Sequence, residues 1–191
     1  MDTDYDVIIA GAGPAGSSAA IHLAQRGVRV LLVEQKSFPR PKLCGEFISP
    51  ECVEHFEKLG VACEMRLSGP ADITETVFYS RRGKRIIVPS RWFGGSAALG
   101  LSRAAMDDNL LQRAKVVGVD VLEDAAVTDV IEDDFGVCGI KLKKNLVEQE
   151  HHGITGRQSF AAHLDCSTIT RCWRSLSTLT LPMRSNNNKA F

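Results

Sequence analysis

The stretch from Tyr5 to Glu34 constrains this chain more than any other. Tyr5-Asp6-Val7-Ile8-Ile9-Ala10 is a short apolar run stopped by glycine, which suits a strand buried on both faces of a parallel sheet. Gly11-Ala12-Gly13-Pro14-Ala15-Gly16 follows. From Pro14 to Arg26 the residues Ala15, Ala19, Ile21, Leu23 and Ala24 favour a helix, Pro14 is tolerated only in its first turn, and Gly27 supplies the stop. Val28–Glu34 reads as a second buried strand. Strand, tight turn, helix, tight turn and strand in about thirty residues is the size of a βαβ unit.

A helix N-terminus preceded by glycines offers a pyrophosphate N–H donors and room to approach the backbone. In that reading Gly11 permits the tight turn, Gly13 lets phosphates come close, and Gly16 lets the helix pack on the strand. Glu34, 18 residues beyond Gly16, stands near the separation of about 20 expected of an acid that accepts hydrogen bonds from ribose hydroxyls. Its charge would repel a 2′-phosphate, which disfavours NADP at this site. The pattern therefore predicts an ADP-binding unit, and this unit alone leaves NAD and FAD both open.

Further elements follow along the chain. Ser49-Pro50-Glu51 has the order of an N-cap, an N1 proline and a first-turn acid, predicting a helix to Leu59 closed by Gly60, with Val53, Phe56 and Leu59 inward. Ile73–Ser80 and Lys84–Val88 predict a hairpin about Arg81-Arg82-Gly83. Ser102 can cap a helix carrying Met106, Leu110, Ala114 and Val117, ended by Gly118. Val119–Leu122, Ala126–Ile131 and Val137–Leu142 predict three more strands.

Composition excludes several classes. The 23 basic and 23 acidic residues balance, so overall charge gives no reason to expect nucleic acid as a partner. No apolar run reaches the roughly 18 residues of a membrane span, and Asp2, Asp4 and Asp6 stand where a signal peptide carries cations. A cytoplasmic protein is the expectation. The six cysteines show no CxxC pair, which predicts reduced thiols and no metal site. Charge is uneven, however: from His151 to Phe191 five cations face only Asp165, and apolar periodicity is lost. Residues 1–145 are thus expected to form the domain, and 146–191 a disordered tail or sequence foreign to it.

Ser37-Phe38-Pro39-Arg40-Pro41-Lys42-Leu43-Cys44-Gly45-Glu46-Phe47-Ile48-Ser49-Pro50, so soon after Glu34, resembles the geranylgeranyl reductase family of FAD-dependent oxidoreductases, relatives of the aromatic hydroxylases and flavin-dependent halogenases. The likeness extends through Gly100-Leu101-Ser102-Arg103 to about residue 144. It implies an α/β fold: a Rossmann-like, glutathione-reductase-like FAD-binding domain, incomplete here, with a β-hairpin of an inserted substrate domain beginning at about 65–100. It also implies that Gly11, Gly13, Ala15 and Gly16 hold the pyrophosphate and Glu34 the adenosine ribose. Arg103 would contact the cofactor, the Val127 backbone would meet adenine, and Cys44 and Gly45 would pass beside the isoalloxazine.

The residues permit these roles and their plainer alternatives. A lone positive charge at a helix start is disfavoured by the helix dipole, so a phosphate near Arg103 would explain it, as would a solvated surface position. Arg40 and Lys42 could lower the thiol pKa of Cys44, the one candidate for a catalytic part, although a loop cysteine is commonly just packed. The family's activity would be reduction of a carbon–carbon double bond in an isoprenoid-like or other apolar small molecule, with NADPH or another external reductant. A monooxygenase or halogenase is the alternative, and a fragment that at most binds nucleotide is another. The Gly-Asp-Ala segment that closes such sites does not occur, and Thr155-Gly156-Arg157 is a faint trace of a second family motif. Peripheral membrane contact is the most an apolar substrate would imply; oligomeric state is left open.

Overall fold

A computed structural model describes residues 5–44, 46–93, 97–134, 136–144 and 147–152. Its centre is the βαβ unit: β1 (Val7–Ala10), α1 (Pro14–Ala24) and β2 (Val30–Val33), with β1 and β2 parallel and Val7 opposite Val30. All four residues of β2 are buried, and their alternation divides them between two faces. Val30 and Leu32 join Ile9, Ile21, Leu110, Leu111 and Ala114 in the larger core cluster, under α1 and a later helix over Arg103–Val116. Leu31 and Val33 join Tyr5, Ala125, Ile140 and Leu142 on the other side. This explains why an uninterrupted apolar run works as a central strand: each face has its own layer to cover it.

After β2 come the two-residue strand β3 (Phe47–Ile48), then α2 (Pro50–Leu59) and α3 (Ala62–Leu67). Ser49 occupies the N-cap of α2 in extended conformation, but its hydroxyl lies 3.5 Å from Cys52 Sγ instead of capping a backbone N–H. Gly60 ends the helix at φ 73°, the left-handed region expected of a C-terminal glycine, and Phe56 and Leu59 are buried as their spacing predicts.

The predicted hairpin is displaced. Ile73 belongs to β4 (Ala71–Ile73), and the hairpin proper is β5 (Glu75–Tyr79) with β6 (Arg85–Pro89). Thr74 breaks the run because Ser90 binds the chain on both sides of it, its hydroxyl donating to Ile73 O at 2.6 Å and its N–H to Thr74 O at 2.8 Å. β4 and β3 instead flank β7 (Ala98–Gly100), all antiparallel. Phe78, Tyr79 and Ile86 of the hairpin are exposed.

The helix α4 (Arg103–Val116) is capped by Ser102, whose hydroxyl accepts from Ala105 N–H at 3.2 Å, and it buries Met106, Leu110 and Ala114. β8 (Asp120–Leu122) then extends the parallel sheet beside β2, giving the order β1-β2-β8. β9 (Ala125–Asp133), β10 (Gly136–Lys144) and β11 (Val147–His152) form an antiparallel meander. The sheet thus runs past the boundary expected at residue 145: Lys144 is opposite Val147 and Gly139 opposite His152. Residues 153–191, with Thr155-Gly156-Arg157, lie outside the described residues.

His22 near the end of α1 and His55 of α2 both have pKa values lowered from the ordinary 6.5. For His22 burial is the main cause, followed by Arg26, His55 and Lys58; for His55 burial and Lys58 outweigh Glu54 and Glu51. The unfolded chain then binds protons that the folded one resists, so their contribution to stability is present above pH 6.5 and lost as pH falls below it. Thermal midpoints measured from about pH 7.5 to about pH 5.5 should fall more steeply for the wild type than for His22→Gln. Parallel slopes would refute the assignment.

Candidate cofactor site

The glycine turn is built by backbone requirements. Gly11 has φ 103°, a conformation L side chains rarely adopt, and its N–H donates to Val33 O at 2.7 Å, closing the turn onto β2. Gly13 is the N-cap of α1 and Pro14 opens the helix, with no side-chain cap and no acidic residue in the first turn. Ala15 and Gly16 follow in that turn, whose leading N–H groups have no intrahelical acceptor. Among the described residues nothing lies within 4 Å of where a side chain at Gly11 would begin, and only Arg40 Nη2, at 4.0 Å, near that of Gly13. Gly16 is the opposite case: its missing side chain is what lets α1 press on Gly11 and Ile9.

Glu34 ends β2. Its backbone N–H donates to Leu122 O at 2.8 Å and its carbonyl accepts from Ala125 N–H at 3.0 Å, so the β8–β9 corner holds it in place. The carboxylate, on a residue only 4% exposed, accepts Ala12 N–H on Oε2 at 2.9 Å and Lys36 N–H on Oε1 at 3.1 Å. The acid therefore also orders the glycine turn itself. Arg40 Nη2 donates a third, longer bond to Oε2 at 3.4 Å, and a carboxylate with about four lone-pair positions keeps capacity for a further donor.

The loop after Glu34 is pinned by the same corner. Ser37 Oγ donates to Asp124 Oδ2 at 2.6 Å and Phe38 N–H to Glu123 Oε1 at 2.9 Å, while Lys115 pairs with Glu123 at 2.9 Å. The loop directs Arg40 back over the Phe38 ring, 4.8 Å from its centroid, and toward Glu34.

Arg103 is neither a solvated residue nor a lone charge. It is 7% exposed and forms a two-point pair with Asp107 one turn along α4, Nε to Oδ1 at 2.9 Å and Nη2 to Oδ2 at 3.0 Å. Hydrogen bonding to Asp107 is the main reason its pKa is raised, against the opposing effect of burial, and a hydrogen bond with Cys44 adds to it. The dipole problem at the head of α4 is thus solved within the chain, by a carboxylate fully buried at position 107. Arg40 Nη1 approaches the same carboxylate at 3.9 Å.

Glu34, Arg40, Asp107, Arg103 and Cys44 are therefore brought together. Arg103 interacts with Cys44, whereas the guanidinium of Arg40, expected with Lys42 to act on that thiol, faces the carboxylates of Glu34 and Asp107. Cys44 is exposed, and Gly45 lies outside the described residues. Val127 is half-buried in β9 opposite Leu142, two residues beyond the Ala125 that binds Glu34. Asp107 was not anticipated, although its i,i+4 spacing from Arg103 was a signal.

Residues 4–153 match the family described as FAD binding domain. A digeranylgeranylglycerophospholipid reductase of Methanosarcina mazei is 35% identical over 144 residues, covering 74% of this chain and 34% of that protein. Among solved structures, a flavin-dependent brominase superposes with a TM-score of 0.71 at 30% identity, over 79% of this chain and 36% of the other. A geranylgeranyl bacteriochlorophyll reductase-like protein of Thermoplasma acidophilum gives 0.69 at 26% identity, over 78% and 37%. The resemblance drawn from Ser37–Pro50 is borne out by these reductase relatives. The chain spans about a third of the length of the curated relatives it matches.

Proposed function

The chain belongs to the FAD binding domain family, and from that premise we propose that it holds FAD as part of an oxidoreductase that reduces a carbon–carbon double bond in an isoprenoid-like or other apolar small molecule. One observation carries the cofactor part of the reading: the first turn of α1 is uncapped, the buried carboxylate of Glu34 binds Ala12 N–H in the glycine turn before it, and the side-chain space at Gly11 and Gly13 is open among the described residues. A dinucleotide's ADP half needs all three. Ala15 and Gly16 would offer N–H groups to the pyrophosphate, Gly11 and Gly13 the room, Glu34 the ribose acceptor and Val127 a backbone edge for adenine.

Bound FAD supplies the two-electron chemistry, with NADPH or another external reductant recharging it. The chain's own part is to bind and orient. Cys44, on an exposed loop, would border the flavin ring. The reductase names of the relatives favour reduction, whereas the flavin-dependent brominase among the structural neighbours favours a halogenase or monooxygenase reaction as the second reading. Anaerobic and aerobic turnover with one apolar alkene would separate the two.

Purified chain mixed with FAD and desalted is expected to keep a yellow chromophore. Glu34→Gln should weaken retention by roughly tenfold or more, as loss of a charged hydrogen-bond acceptor does. A folded wild-type chain that remains colourless would falsify the flavin reading.

A further inference from the structure

The hairpin β5–β6 carries chemistry that the cofactor site does not use. Its strands end at the pair Tyr79 and Arg85, preceded by Phe78 opposite Ile86 and Val77 opposite Ile87. Alternation puts Phe78 and Ile86 on one face and Tyr79, Arg85 and Ile87 on the other. Phe78 is 57% exposed, Tyr79 71% and Ile86 65%, and Ile87 is exposed as well. The outer end therefore presents large apolar side chains to solvent on both faces, where a strand pair packed on a body buries one of them.

The turn joining these strands is strongly basic. Arg81, Arg82, Lys84 and Arg85 are all exposed, and no acid occurs from Thr76 to Met106. None of the four cations forms an ion pair among the described residues. In a chain whose 23 cations and 23 acids balance, this is a local concentration of charge. The turn is also ordered: Ser80 N–H donates to Lys84 O at 2.8 Å, Gly83 N–H to Ser80 O at 3.0 Å and Lys84 N–H to Ser80 Oγ at 3.1 Å. Like charges held this close repel one another, and an anionic partner relieves that repulsion.

The partner must answer both the charge and the apolar side chains. A protein layer laid on the hairpin would cover one face and strand the cations, which interface cores disfavour. A nucleic acid would meet the cations but offer nothing to Ile86 and Ile87, which have no ring to stack on a base. An anionic lipid surface meets all of them. Arg and Lys reach headgroup phosphates on long stems, a tyrosine ring sits at headgroup level, and Phe78 and Ile86 enter the acyl boundary. Such docking is interfacial and needs no membrane-crossing helix.

We propose that the outer end of the β5–β6 hairpin is a docking site for anionic phospholipid membrane surfaces, with Arg81, Arg82, Lys84 and Arg85 on the headgroups and Phe78, Tyr79 and Ile86 in the interface. The proposal stands on the hairpin alone and requires neither the flavin nor the substrate reading.

The full chain is floated with vesicles of phosphatidylcholine alone or of equal parts phosphatidylcholine and phosphatidylglycerol. Binding is expected to the mixed vesicles at low salt, to weaken as salt rises, and to be at least tenfold poorer without phosphatidylglycerol. Replacing Arg81, Arg82, Lys84 and Arg85 together with serine should weaken it by roughly a hundredfold or more, at about fivefold per cation. Phe78→Ser with Ile86→Ser, which leaves every charge in place, should weaken it by roughly tenfold. Thermal midpoints show whether each variant is folded. If the serine pair is not, Phe78→Trp decides: vesicles with brominated acyl chains should quench it beyond the wild type, and equal quenching overturns the proposal. Absence of vesicle binding, equal binding to both vesicle types, or no loss in a folded variant of either kind would also overturn it. So would a single-stranded oligonucleotide that displaces the chain from vesicles and binds equally well to the Phe78→Ser, Ile86→Ser variant. A colourless chain that still binds vesicles as expected defeats the flavin reading alone.

Discussion

Replacing Gly16 with alanine is expected to lower the thermal midpoint by roughly 6–12 °C and to abolish FAD retention. A Cβ at this position would overlap the Gly11 carbonyl oxygen, lie 3.1 Å from the Gly11 carbonyl carbon and 3.3 Å from Ile9 Cγ2. The first two obstacles are backbone, and that backbone is held by Gly11 N–H on Val33 O. α1 must therefore move off the sheet, at a cost of about 3 kcal/mol, the upper part of the range for overpacking. The first turn of α1 moves with it, which is why binding is lost along with stability. Gly13→Ala is the control, because among the described residues its Cβ would meet only Arg40 Nη2 at 4.0 Å. It should leave the midpoint within a few degrees, as a change of N-cap does, yet fill the space a pyrophosphate needs. Calorimetry and flavin absorbance on both variants check this, and equal melting of the two would contradict the geometry.

Asp107→Asn should be at least as damaging to stability. Asp107 is fully buried, and its two oxygens meet Arg103 at 2.9 and 3.0 Å, with Arg40 at 3.9 Å. Asparagine preserves the shape and removes the charge, leaving a buried guanidinium uncompensated. Breaking one side of such a pair costs about 3–5 kcal/mol, or roughly 10 °C for a chain of this size. Removing both charges should cost much less, so the double variant with Arg103→Met and Asp107→Leu is expected to melt above Asp107→Asn. A single variant within about 1 kcal/mol of wild type would show that Arg103 finds another partner and that the pair is not what stabilises the head of α4.

Much of the fold was legible because the relevant signals are local. The cap, N1 proline and terminal glycine of α2 lie within Ser49–Gly60, and the apolar positions of α4 recur within one helix. The hairpin was read one element too long, because Ile73 is as apolar and β-branched as the strand beyond it. What separates them is Ser90, seventeen positions away, binding Ile73 O and Thr74 O. The two-residue β3 was not legible either, since a strand that short exists only through its pairing with β7.

The site divides the same way. The turn at Gly11 and Gly13, the close helix–strand approach at Gly16 and the buried acid Glu34 could be read from the sequence because a tight turn, a close approach and a strand end each demand a particular residue type at a fixed spacing. Membership of the family follows from that run and its continuation through Ser37–Pro50. The partners of the charges could not be named. Arg40, Asp107 and Arg103 are distributed over a loop and a helix more than sixty residues apart, and whether a guanidinium meets one carboxylate, two or water depends on how those elements pack. Local conformational demands are written residue by residue and were determined by the sequence itself. Burial and electrostatic pairing depend on which surfaces the chain brings together, and for these ions only the tertiary structure decided them.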